Sequence, residues 1–151
     1  MRLLLTVGLL ISLATPAFAQ NSVQQQSQRW HCQDHPGSAY QIEDQGFVQE
    51  GNEHWKRASD DYSQAVIVRD FCSQVTSGQA RSWHLIVEAL DLSALALAVK
   101  HEHNAPYQPF LRRGLFELEM ATAKGDPLTP GQQELWTSVH TRILLQLQGK
   151  F

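Results

Sequence analysis

The chain has 151 residues, 42% of them hydrophobic and 18% charged. That is enough apolar material for a core and too much for a disordered tail. A net charge of −3 and a pI near 6.1 provide no overall basic field for nucleic acid or an anionic membrane. Two cysteines are too few for a disulfide-dense miniprotein or a four-cysteine zinc module.

Met1-Arg2 supplies a short positive region, and Leu3 to Leu13 an apolar run. Pro16 ends that run, and Ala17-Phe18-Ala19 has the small-x-small form of a cleavage site. The pattern predicts a secretory signal peptide over residues 1–19. Export to the periplasm or the exterior follows, with no transmembrane anchor after cleavage. Residues 20–29 are polar and glutamine-rich and read as a flexible leader, leaving 30–151 as a single helical domain. In an oxidising compartment the only two cysteines, Cys32 and Cys72, are expected to form a disulfide.

Residues 30–57 carry Pro36, Gly37, Gly46 and Gly51 and read as irregular. Tyr40 and Ile42 alternate with polar neighbours, and Asp44-Gln45-Gly46 is a turn signal. A short hairpin over about residues 39–49 is the expectation there. From Ser59-Asp60-Asp61, taken as an N-cap and first turn, the pattern becomes helical. Ala65, Val68, Cys72 and Val75 share a face, and Gly78 is the expected stop. A second helix covers about Ala80 to His101. Its near-continuous apolar run from Leu85 to Val99 marks a buried helix, too short and too acidic to span a bilayer.

A third helix follows Pro106, with Leu111, Leu115 and Leu118 in a stripe, Phe116 beside it, and a stop at Lys124-Gly125-Asp126-Pro127. The last begins at Thr129-Pro130, with Gln132 completing a capping box, and presents Trp136, Val139, Ile143 and Leu147 on one face. The fold class is mainly α: a small four-helix bundle-like body with the N-terminal segment tied on by the disulfide.

Leu128-Thr129-Pro130-Gly131-Gln132 resembles the Leu-Thr-x-x-Gln motif of the Spy/CpxP group of helical periplasmic chaperones and stress sensors. The resemblance covers those five residues, with no second copy, and the same residues also spell a helix cap.

All seven histidines follow the predicted signal peptide. His31 and His35 flank Cys32, and His101 and His103 lie at the end of the second helix. Imidazoles bind zinc, copper and nickel, so these residues are metal candidates. His84 and Glu88 join them at i, i+4 within a stripe of Arg81, His84, Glu88 and Asp91. The plainer expectations are a solvated helix face for this stripe and helix-dipole contacts for His101 and His103. Glu117 and Glu119 near Arg112 and Arg113 suggest surface ion pairing.

Of the four tryptophans, Trp30 and Trp55 fall in the irregular segment and are candidates for an interface. No nucleophile elbow, zincin helix, P-loop or haem-attachment motif is present. The expected function is therefore a non-enzymatic envelope binding protein, contacting another envelope or secreted protein as chaperone, inhibitor or immunity-type partner. A histidine-based periplasmic metal binder or sensor is the alternative.

Overall fold

A computed structural model describes residues 32, 38–103, 105–123 and 127–151. The predicted signal peptide and leader, with Trp30, His31 and His35, lie outside the described residues. Five helices follow one another: α1 Ala39–Gly51, α2 Trp55–Val75, α3 Gly78–His103, α4 Gln108–Ala123 and α5 Pro130–Leu147. No strand occurs among the described residues.

Helix α1 replaces the hairpin expected over 39–49. Gly46 is a packing residue and not a breaker. Ala39 and Gly46 are the buried positions of α1, and a Cβ at Gly46 would come within 3.0 Å of the Tyr62 ring on α2. The absence of a side chain at Gly46 lets α1 lie close against α2.

Helix α2 starts at Trp55, earlier than the expected Ser59 cap. Ser59 lies inside the helix, where its hydroxyl donates to Glu102 of α3 at 2.9 Å and to the Lys56 carbonyl. Its buried positions Ala58, Tyr62, Ala65, Arg69 and Cys72 follow the 3–4 spacing of one helix face. Cys72 is bonded to Cys32, with Cα atoms 5.6 Å apart. The helix ends at Val75, where the Thr76 amide and hydroxyl both donate to the Cys72 carbonyl. Gly78 opens α3 instead of closing α2, and its φ of 58° suits a residue without a side chain.

The centre of the body is α3, which packs against α2, α4 and α5. One apolar cluster joins Leu85, Ile86 and Ala89 to Leu111 and Leu118 of α4 and Val139 and Ile143 of α5. A second joins Ala94, Leu95 and Ala98 to Ala58 and Tyr62 of α2. Each fully buried Leu or Ile contributes about 1.5–3 kcal/mol by leaving water. By length and composition Gly78–Glu102 is apolar enough to cross a membrane, contrary to the shorter estimate from its sequence. In the fold, 78% of its most apolar window is buried against the other helices, as in the core helix of a helical body.

The third and fourth expected helices appear as α4 and α5. Leu111 and Leu118 are fully buried, but Phe116 is 56% exposed and so faces away from the core. The α5 cap forms as read. Thr129 Oγ1 accepts from the Gln132 amide at 3.2 Å, and Gln132 Oε1 accepts from the Thr129 amide at 2.9 Å. Gln132 Nε2 also donates to the Gln79 carbonyl at 2.8 Å, which fastens the start of α5 to the start of α3. The Leu-Thr-x-x-Gln stretch thus has a local physical role in closing a helix end.

Candidate functional site

The polar stripe of α3 is not a solvated face. His84 is 5% exposed, Glu88 fully buried and Asp91 3% exposed. They form a polar seam because the helices that cover them bring charges of their own: Glu43 from α1, Arg69 from α2, and Arg113 and Glu117 from α4.

Arg69 anchors one half of the seam and is fully buried. Its Nε and Nη2 donate to the two Glu43 oxygens, at 2.5 and 2.9 Å, as a bidentate pair. Its guanidinium carbon stands 4.3 Å from the centre of the Tyr40 ring, and Tyr40 accepts a hydrogen bond from Trp83 Nε1. Burial works against the charge. The bonds and charge of Glu43, then Asp91 and Tyr40, outweigh it and keep Arg69 protonated. Arg69 Nη1 lies 3.0 Å from His84 Nδ1. Arginine only donates, so Nδ1 accepts and the imidazole proton sits on Nε2. Burial, and next the Arg69 charge, lower the His84 pKa to about 4.

Asp91 completes this half. Its carboxyl lies beside that of Glu43, close enough for the two charges to act on each other. Burial and then the Glu43 charge raise its pKa well above the usual carboxylate range. Its Oδ2 meets no hydrogen-bond donor.

In the other half, Arg113 on α4 reaches inward to Glu88 at 2.5 Å, with Glu117 at 3.5 Å and Asp70 at 3.8 Å. Arg113 is half exposed, and Glu117 is only 8% exposed, so the surface pairing read from the sequence extends into the interior. Three carboxylates around one arginine leave negative charge in excess. Burial, and then Glu117, raise the Glu88 pKa to about 8, and Glu88 Oε2 has no donor.

Asp91 and Glu43 also lie at a cleft of about 310 Å³. Asp44, Phe47 and Glu50 of α1, Leu90 and Ala94 of α3 and Arg142 of α5 line it. Tyr62 lines it too, donating to Glu50 at 2.8 Å; burial, then that bond, raise its pKa. Phe47 and its neighbour Val48 are 72% and 55% exposed.

Of the metal candidates whose side chains are described, His84 and Glu88 lie together in the seam and His101 lies apart from them; the side chain of His103, like His31 and His35, falls outside the described residues. His84 and His101 are separated by about 25 Å along α3 at 1.5 Å per residue. His101 stacks on the half-buried Trp55 with ring centres 4.2 Å apart. Trp55 thereby packs on the second apolar cluster. Among the described residues, no group of three or more histidine, cysteine or acidic side chains is gathered to hold a metal ion. Glu43 and Phe47 fall in the stretch read as a hairpin, and Arg69 had no signal in the sequence beyond its helical spacing. Compared with protein-family models, curated proteins and solved structures, the chain matches none.

Proposed function

We propose that the protein is an exported, non-enzymatic binding protein of the bacterial envelope that acts by contacting another protein at the cleft between α1 and α5. The observation that carries this reading is Phe47, 72% exposed on the rim of a cleft that has a buried, donor-less carboxyl oxygen within it. A large aromatic exposed beside a polar cavity is the composition expected of an interface anchor. Export rests on residues 1–19 and agrees with the use of both cysteines in a disulfide. The disulfide also ties the segment before α1 to the helical body.

Capture from envelope extract tests the reading, with the disulfide-bonded protein as bait. A partner recovered by the wild type should be lost with Phe47→Ser and kept with Phe116→Ser, whose side chain is exposed elsewhere. Recovery of no partner, or equal recovery with Phe47→Ser, would overturn it.

A further inference from the structure

We propose that the cleft between α1, α3 and α5 binds a primary ammonium group carried on an apolar stem, with the charge received by Asp91 and Glu43. This names the chemical group taken by the proposed contact site, and it rests on that reading for the choice of cleft.

The two carboxyls lie together and carry one arginine between them, since Arg69 is committed to Glu43 and His84. What the pair still lacks is a positive charge. Burial favours a proton on Asp91 in the free protein, and Asp91 Oδ2 is left without a donor although Asp91 is only 3% exposed. An ammonium brings three donors and a charge to acceptor-only oxygens. Glu50 and Asp44 on the rim add negative charge along the approach, and Phe47, Leu90 and Ala94 give the stem an apolar wall. The volume, about 310 Å³, is at the small end of ligand sites and suits a short alkyl chain. Arg142 also lines the cleft and opposes any cation there, but the carboxyls of Glu43, Asp44, Glu50 and Asp91 outnumber it. A ligand with one charged end meets less of that repulsion than a diamine. Binding is an exchange: the ammonium keeps its three protons, the Asp91 carboxyl ionises, and its proton passes to the buffer.

Calorimetric titration of the disulfide-bonded protein near neutral pH tests this. Two probes separate the sources of the group: n-pentylamine as a free amine, and Nα-acetyl-lysine amide as the side chain of a partner. The alcohol 1-pentanol is the uncharged control. An amine is expected to bind at one site about tenfold or more tightly than the alcohol, with proton release seen as a dependence of the heat on buffer ionisation. Tighter binding of the lysine amide than of pentylamine assigns the site to a partner's lysine, and the reverse assigns it to a free amine.

Asp91→Asn imitates the protonated carboxyl, so it should keep its melting temperature while losing about tenfold or more in amine affinity. Glu50→Gln, at the half-buried rim, gives a second variant with a smaller loss of about twofold to fivefold. The inference falls if neither amine binds below about 10 mM. It also falls if pentanol matches pentylamine, if no proton is released, or if both variants bind like the wild type. Partner capture that depends on Phe47, without amine binding, would sink this inference and spare the protein-contact reading. Amine binding with capture indifferent to Phe47 would do the opposite.

Discussion

Replacing Glu88 by Gln should stabilise the protein, and by an amount that grows with pH. Glu88 is fully buried and its folded pKa is about 8, against 4.5 for the free side chain. Between those values the folded carboxyl holds its proton while the unfolded one has lost it. The unfolded state then binds fewer protons, so stability falls as pH rises through that window. A single group with these two pKa values loses about 2 kcal/mol of stability between pH 5 and pH 7. Gln has the shape of the protonated acid, still accepts from Arg113 through its carbonyl oxygen, and does not titrate. The difference between variant and wild type isolates this group, because His84 and Asp91 titrate in both. Urea unfolding at pH 5, 6, 7 and 8 measures it. The expected difference is small at pH 5 and larger by about 2 kcal/mol at pH 7. A difference that stays flat across these points would show that Glu88 ionises like an ordinary surface acid, and the account of the second half of the seam would be wrong.

His84 has the opposite sign: with a folded pKa of about 4 it stays neutral while the unfolded residue protonates, so stability falls as pH drops from 6.5 towards 4. His84→Gln, which keeps an acceptor for Arg69, should flatten that acid limb of the urea midpoint by about 2 kcal/mol at pH 5. Arg69→Met should strand the Glu43 and Asp91 carboxyls and lower unfolding free energy by about 3–5 kcal/mol, measured by denaturant; a loss under about 1 kcal/mol would deny Arg69 its anchoring role. The double variant Cys32→Ser, Cys72→Ser opens a loop with a sequence separation of 40 and should lose about 4 kcal/mol in the chain-entropy model, read as a lower melting temperature. Gly114→Ala places a Cβ 2.8 Å from Ile143 Cδ1, which must shift, while the alanine gains about 1 kcal/mol in helix propensity, so thermal melting should show a net change within about 1 kcal/mol.

The α5 cap was legible because its signal is local: Thr129, Pro130 and Gln132 need no other element to act. The disulfide was legible because only one pairing exists. Helix α1 was not, since Gly46 looks like a breaker until the Tyr62 ring is known to lie against it. The spacing of Arg81, His84, Glu88 and Asp91 did show that they share a face. Periodicity says which residues stand together, however, and not what covers them. The covering residue Arg69 falls on the buried repeat of Ala58, Tyr62, Ala65 and Cys72, at a position where only an apolar residue would have been counted as core.

The two halves of the seam are unequal in one respect that bears on function. Both hold a buried carboxyl with a donor-less oxygen, and in both burial drives the proton on. Buried charge of this kind adds little stability compared with apolar packing, so its presence in a small helical body calls for another role. Glu88 is closed off by Arg113, whose half-exposed guanidinium reaches in over it. Asp91 only shares the charge of Arg69, whose hydrogen bonds go to Glu43 and His84. The half sealed by Arg113 therefore sets how α3 sits against α4. The half that opens on the cleft is where an arriving positive charge changes the energy of the seam most, and where binding can be linked to the release of a proton.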